Sequence, residues 1–208
     1  MSPLDYFLIY TKFMSSGLPK TQSQKVQRST KTYINIFKLI FLFLILGLAV
    51  YHQSLFNGFV WDDSDLIFNT HVGNTFDNIK SFLLGFHFSG GNMGLHVSGY
   101  EVYYKPLFFT SLSVLYGLFG KNPFYFHLIQ ILLHSVNAVL VYFIFGYFFR
   151  KNLSFILAVL FLIHPINSEA VLYISALQEP LFFFFGSLGF IVLNVNIISN
   201  RRLLIGGL

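Results

Sequence analysis

Charged residues are scarce in this chain of 208 residues, where Asp, Glu, Lys and Arg together make up 10%; an ordinary soluble domain has about 25%. Hydrophobic residues reach 55%, and the mean hydropathy is +0.66. This composition excludes a water-soluble globular protein. The 28 Phe and 12 Tyr also exclude a disordered chain, which needs low hydrophobicity and high net charge. The membrane class remains.

The absence of other sequence features limits the kinds of function that the chain can have. The chain has no cysteine, so its redox compartment cannot be read from cysteine usage. The sequence contains no P-loop, no dinucleotide fingerprint, no zinc-ligand spacing and no internal repeat. The net charge of +5 could indicate a nucleic-acid partner, but the basic residues form no single solvated face. Their distribution follows a membrane instead, so we expect membrane lipid as a partner and no nucleic acid.

Apolar runs of about 20 residues predict spanning helices, because that length crosses roughly 30 Å of hydrocarbon. The sequence predicts such helices at 36–55, 124–149 and 181–198. A third span in chain order, at 153–166, has only about a dozen apolar residues before its His-Pro pair, fewer than a full span needs. It is therefore either short or continues irregularly into the segment 167–180, which we expect to be extracytoplasmic.

Basic residues orient these spans, because Lys and Arg collect in cytoplasmic loops. Ten of the thirteen lie before or at the start of the first span, between the second and third, or after the fourth: Lys12, Lys20, Lys25, Arg28, Lys31, Lys38, Arg150, Lys151, Arg201 and Arg202. Seven of the eight acidic residues fall on or near the other side. The pattern predicts a cytoplasmic leader at 1–35, four spans and a cytoplasmic end at 199–208.

The segment 56–123 is too long for a simple connection and is predicted to be an extracytoplasmic module. Its stretch from Pro106 starts with proline and mixes apolar with hydroxyl residues, which predicts a helix in the membrane interface. The predicted fold is therefore an all-α integral membrane bundle, with a large first extracytoplasmic loop that carries short interfacial helices.

The densest polar cluster lies where the first span leaves the membrane and contains Asp62, Asp63 and Asp65. Three carboxylates in four residues repel one another, which makes the cluster a candidate general base or cation site. The alternative is a solvated turn in which Asp63 or Ser64 caps a helix. The three aspartates permit a divalent cation without requiring one.

Other polar residues lie in or beside apolar runs. Glu169 and Glu179 flank a half-apolar stretch, where an acid should face protein, water or ligand unless it snorkels or caps a helix. Lys105 either binds an anionic group or anchors a helix to lipid phosphate. Four residues on the second span recur at intervals of three, four and three: His127, Gln130, His134 and Asn137. Their common face favours hydrogen bonds between helices over metal ligation.

Four motifs occur in one order along the chain: Phe59-Val60-Trp61-Asp62-Asp63, Tyr104-Lys105-Pro106-Leu107, Asn122-Pro123-Phe124-Tyr125-Phe126-His127 and His164-Pro165-Ile166-Asn167-Ser168-Glu169. This ordered set resembles the membrane-embedded GT-C glycosyltransferases, and in particular the protein O-mannosyltransferase-like branch that includes the TMTC proteins. The resemblance implies a GT-C-like helix bundle. It also implies inverting transfer of a sugar, such as mannose, from a polyprenyl-phosphate carrier to a hydroxyl on the extracytoplasmic face.

The resemblance also assigns catalytic residues. By analogy, Asp62 deprotonates the acceptor hydroxyl, and Asp63 orients it or helps to hold a cation. Lys105 replaces the family's usual arginine, so it keeps the charge for contact with the carrier phosphate and loses the bidentate fork.

Further residues line the site by the same analogy. His164 and Glu169 match one family motif, and Glu179 matches a family acid. That family acid normally follows an arginine by two positions, where this chain has Leu177.

The acceptor implied by the resemblance is a protein, lipid or glycan. The location is the plasma membrane in a prokaryote or the endoplasmic reticulum in a eukaryote. Because such enzymes carry further spans, we expect this sequence to be the N-terminal part of a transferase, either a fragment or a truncated reading frame, and its activity alone is left open. Two alternatives remain open: a non-catalytic homologue that binds lipid-linked sugar, and a transporter or channel subunit whose polar helix face lines a path.

Overall fold

The computed structural model describes residues 20–68, 79–80, 83 and 105–205, and side chains within 34–64, 67, 79–80, 83 and 105–194. Throughout these residues the regular secondary structure is helical. The prediction of an all-α membrane protein is therefore confirmed. Parts of the predicted leader, about half of the predicted first extracytoplasmic loop and the last three residues of the predicted cytoplasmic end lie outside the described residues.

The helices begin and end as follows: α1 Lys20–Tyr51, α2 Asp62–Phe68, α3 Pro106–Phe119, α4 Pro123–Phe145, α5 Lys151–Ile163, α6 Ser168–Leu172 and α7 Gln178–Ile205. Short 3-10 turns lie at His52–Phe56, Pro165–Asn167 and Ile174–Ala176. Both α3 and α4 start with proline, whose missing N–H costs nothing in the first helical turn. The Asn122 side chain caps α4 by accepting from the Phe124 N–H at 3.1 Å.

Three stretches are long and apolar enough to cross a membrane: Ile34–Phe56, Pro123–Phe145 and Ile174–Asn194. Helix α5 and the following segment Pro165–Leu172 qualify only as a pair and meet at an angle of 48°. By length and composition, the described residues therefore contain three candidate spans, or four if the bent pair is counted as one. Helix α4 stops at Phe145, inside the predicted range 124–149, and a turn stabilised by backbone bonds follows.

The bend between α5 and α6 has a clear chemical cause, because Pro165 has no N–H to continue the helix. The carbonyl of Phe161 accepts instead from the Asn167 side-chain amide at 2.7 Å. The N–H of Ile166 donates to Nδ1 of His164 at 3.2 Å. Side chains thus satisfy backbone groups that the interruption of the helix leaves without a ladder partner.

The chain divides into two compact units, Met1–Leu42 and Phe43–Leu208, and every predicted site residue lies in the second. One hydrophobic cluster of the second unit joins α2, α3, the start of α4 and the turn at Ile174–Ala176. Its buried members are Ile67, Phe108, Leu112, Leu115, Phe126, Ile174 and Leu177. This cluster fixes the position of the acidic residues that begin α2 relative to the segment before α7.

Helix α4 holds the bend through its polar face. Nε2 of Gln130 donates to the carbonyls of Ala170 at 3.0 Å and Tyr173 at 2.6 Å. Nε2 of His134 lies 3.1 Å from the Leu162 carbonyl, and Nδ2 of Asn137 donates to the Pro180 carbonyl at 2.9 Å. All three side chains are buried. The predicted hydrogen bonds between helices are therefore confirmed for these three residues.

Candidate active site

The acidic turn, residues 60–63, follows the C-terminal end of the first candidate span, Ile34–Phe56. The N–H of Asp63 donates to the Val60 carbonyl at 3.0 Å, and the N–H of Ser64 donates to the Trp61 carbonyl at 3.2 Å. Oδ2 of Asp63 also accepts from the Val60 N–H at 3.3 Å. These bonds close the turn on itself and give the first carboxylates of α2 a defined backbone.

Asp63 is completely buried and connects two distant parts of the chain. Its Oδ1 accepts from the Ser175 N–H at 2.7 Å and from the Ser175 hydroxyl at 2.6 Å, across 112 positions of sequence. A buried carboxylate needs such donors, because its desolvation would otherwise be costly. Asp63 thus attaches the acidic turn to the turn at Ile174–Ala176.

Asp62 differs from its neighbour because it remains partly exposed. The hydroxyl of Tyr173 lies near the backbone of Asp62 and the side chain of Ser175. Burial raises the pKa of Tyr173, so the phenol stays neutral at physiological pH. A partly open carboxylate on a rigid turn can accept a proton from a bound hydroxyl.

Lys105 directly precedes α3, and its Nζ lies 5.8 Å from the ring centroid of Phe108. This distance is in the range of a cation–π contact. Its backbone carbonyl accepts from the Phe109 N–H at 3.1 Å. Because Phe108 belongs to the hydrophobic cluster that also contains Ile67 of α2, the positive charge and the acidic turn are attached to the same core.

The remaining predicted site residues follow the bend. His164 is exposed and caps the 3-10 turn through its Nδ1. Glu169 and Glu179 are exposed in the first turns of α6 and α7, where the helix dipole favours a negative charge. The carbonyl of Glu169 accepts from the Tyr173 N–H at 3.1 Å, so Glu169 is one helical turn from the aromatic ring near Asp62.

The motifs of the sequence did not identify two residues of the site, Tyr173 and Ser175. Neither belongs to a motif that the sequence analysis singled out. A hydroxyl residue inside a half-apolar stretch was the available signal for Ser175, since such a group needs a partner when buried. The direct contacts of the site join these two residues to Asp62 and Asp63. Within the described part of the chain, no three His, Asp or Glu side chains are grouped so that they could hold a metal ion.

Comparison with known proteins identifies several homologues. The chain is 35% identical over 123 residues to "Protein O-mannosyl-transferase TMTC1" of Mus musculus, covering 58% of the chain and 13% of that protein. It is 32% identical over 135 residues to "Protein O-mannosyl-transferase TMTC3" of Mus musculus, covering 65% and 14%. It is 28% identical over 204 residues to "Protein O-mannosyl-transferase F38B6.6" of Caenorhabditis elegans, covering 94% and 27%.

These matches cover only a small part of each relative. The chain spans between 13% and 27% of the length of these three proteins. No protein-family model matches the chain, and no solved structure matches it. The TMTC-like part of the sequence resemblance therefore has support from named homologues.

Proposed function

We propose that this chain carries the acid-bearing part of a membrane glycosyltransferase of GT-C type. The enzyme moves a hexose, with mannose as the first candidate, from a polyprenyl-phosphate carrier to an acceptor hydroxyl on the extracytoplasmic side. The observation that carries the proposal is the carboxylate of Asp62, which is partly exposed on a turn that its neighbour Asp63 holds rigidly. The homologues named protein O-mannosyl-transferase support the reaction class.

In the proposed reaction, Asp62 accepts the proton of the acceptor hydroxyl as the oxygen attacks the anomeric carbon of the sugar. A new bond forms between that oxygen and the anomeric carbon, and the bond from this carbon to the carrier phosphate breaks. The bonding electrons leave with the polyprenyl phosphate, and the configuration at the anomeric carbon inverts. Lys105 stabilises the negative charge of the departing phosphate as a point charge.

Asp63 has a separate role in this proposal. Its two oxygens already accept from Val60 and Ser175, and the side chain is completely buried. We assign it to orienting the turn, in preference to holding a cation. Asp62 is left to act as the base. In this proposal Asp63 positions the turn, and Asp62 takes part in the proton transfer.

The exposed residues around the bend complete the proposed site. His164, Glu169 and Glu179 follow helix breaks and lie open to solvent or ligand. We assign them to binding of the lipid-linked donor. The relatives are named protein O-mannosyl-transferases, which favours a protein hydroxyl as acceptor. With the N-terminus in the cytoplasm, the acidic turn faces the outside of a plasma membrane or the lumen of the endoplasmic reticulum.

One observation favours a second candidate, a homologue that binds lipid-linked sugar without transfer. Leu177 occupies the position where the family pattern has arginine, and it is buried in the hydrophobic cluster beside Ile174. This chain therefore has no cation there to contact a phosphate. The transporter alternative is disfavoured, because Gln130, His134 and Asn137 each direct a side-chain nitrogen to a backbone carbonyl.

The test is transfer of labelled mannose from polyprenyl-phosphate mannose to an acceptor peptide, in membranes that contain the full chain. We expect Asp62→Asn to lower the rate by about 10²–10⁴-fold, the usual contribution of a general base, without changing thermal stability. Lys151→Gln is the charge control, since Lys151 is exposed at the start of α5, and it should leave the rate unchanged.

Two outcomes would contradict parts of the proposal. Equal rates in the wild type and Asp62→Asn would remove the role of Asp62 as base. Binding of the donor with no transfer by the wild type would reject the enzyme and support the binding homologue.

A further inference from the structure

Trp61 combines high exposure with an uncommon backbone conformation. It is the single tryptophan of the chain, and its side chain is 86% exposed. Its φ is +47°, in the left-handed region that bulky residues rarely adopt. Backbone hydrogen bonds from Asp63 to Val60 and from Ser64 to Trp61 hold this conformation. A conformation that costs energy and is held by its surroundings calls for a functional explanation.

The surroundings of the indole are both aromatic and polar. The ring of Tyr173 meets the indole edge to face, with 6.4 Å between centroids and 76° between planes. The phenol hydroxyl of Tyr173 lies near the backbone of Asp62 and near Ser175. The partly exposed carboxylate of Asp62 directly follows Trp61 in the chain. Tyr173 therefore contacts the exposed indole and also lies near the partly exposed Asp62.

We propose that Trp61 and Tyr173 form a binding subsite for a hexose ring, with the indole against the apolar C–H face of the sugar. This subsite rests on the proposed function and deepens it by placing the sugar next to Asp62. A hexose presents an apolar face surrounded by hydroxyl groups. Small-ligand sites match such a molecule with an apolar or aromatic wall and a few polar groups that fix its orientation. The carboxylate of Asp62 accepts from the sugar hydroxyls.

A lipid chain fits these surroundings less well. An acyl or isoprenoid chain offers no hydrogen bond to Asp62, so covering this surface with lipid would desolvate a carboxylate without compensation. Tryptophan is nevertheless common at membrane interfaces. Phe56 provides the comparison, because it ends the same candidate span and is 82% exposed.

The single tryptophan makes the test direct, because intrinsic fluorescence reports on Trp61 alone. The full chain in lipid nanodiscs is titrated with polyprenyl-phosphate mannose or with sugar-free polyprenyl phosphate of the same length. Quenching of Trp61 by acrylamide is then measured. We expect the sugar-bearing lipid to lower the quenching constant about twofold, since a bound ligand covers one face of the ring. The sugar-free lipid should leave it unchanged.

The matched control places the single tryptophan at position 56 in place of position 61. In the double variant Trp61→Phe with Phe56→Trp, the tryptophan is again single and exposed, and we expect no sugar-specific protection. Equal protection of Trp61 by both lipids would show lipid contact and overturn the subsite, as would protection by neither. Sugar-specific protection without transfer would retain the subsite and reject the proposed function. Transfer without protection of Trp61 would reject the subsite and retain the proposed function.

Discussion

The acidic turn and the polar face of α4 both place polar side chains among apolar ones, but they use them differently. On α4, Gln130, His134 and Asn137 donate to, or lie within hydrogen-bond distance of, carbonyls at the ends of other helices. In the acidic turn, Asp63 is used in this way, and Asp62 is partly exposed. Buried polar side chains that bond to other segments therefore hold the frame together, and a partly exposed carboxylate can be reached by a ligand.

The same comparison applies within the pair of aspartates. Asp63 accepts three hydrogen bonds, and two of them come from Ser175. Asp62 is the same type of residue at the adjacent position, but its side chain is partly exposed. Burial and bonding thus separate a positioning residue from a candidate base at neighbouring positions.

The largest expected effect separates these two aspartates. Asp63→Ala leaves the Val60 N–H and both donors of Ser175 without their acceptor, and each buried unsatisfied donor costs about 1–3 kcal/mol. We expect a loss of about 3 kcal/mol in the free energy of unfolding, measured by denaturant titration in detergent. Asp62→Ala, at the partly exposed neighbour, should change it by less than about 0.5 kcal/mol. Similar losses of unfolding free energy in both variants would contradict the distinction between Asp63 and Asp62.

A double-mutant cycle of Asp63 and Ser175 tests the hydrogen bond between these two side chains. Ser175→Ala removes the hydroxyl donor and keeps the backbone donor, so it should destabilise less than Asp63→Ala. In the Asp63→Ala background the Ser175 substitution should have almost no effect, because its partner has already gone. Additive losses would mean that the 2.6 Å contact contributes nothing specific.

A smaller effect is expected on α4, where Gln130 and His127 are both buried at 1% exposure or less. Gln130→Leu takes the side-chain donor from the carbonyls of Ala170 and Tyr173, of which the Tyr173 carbonyl still accepts from the Ala176 N–H at 3.0 Å. We therefore expect a loss of about 2 kcal/mol in the free energy of unfolding. His127 has no hydrogen-bond partner for either ring nitrogen among the described residues. His127→Leu should therefore change stability by less than about 0.5 kcal/mol. If His127→Leu were the more harmful of the two, the polar face would not act through its bonds.

Much of the frame could be predicted from the sequence. Apolar length and proline indicate the helices and the break after His164, and helical spacing places Gln130, His134 and Asn137 on one face. The pairing of Asp63 with Ser175 could not be predicted, because it depends on how segments 112 positions apart pack together. For the same reason the motif Asp62-Asp63 gives no indication of which carboxylate is buried. Local patterns encode local structure, and the site depends on contacts that only packing creates.

The smallest expected effect concerns the close approach of α1 and α4 beside the polar face. A Cβ added at Gly47 would overlap the hydroxyl of Ser135, which itself donates to the Ile131 carbonyl at 2.8 Å. Gly47→Ala must therefore displace that hydroxyl and lose its bond, so we expect a loss of about 1 kcal/mol. In a Ser135→Ala background the added methyl meets no hydroxyl, and the loss caused by Gly47→Ala should fall below about 0.5 kcal/mol. Thermal unfolding of the four variants in one detergent measures this difference. An unchanged cost in the Ser135→Ala background would show that the rest of the α4 surface, and not the Ser135 hydroxyl, sets the spacing of the two helices.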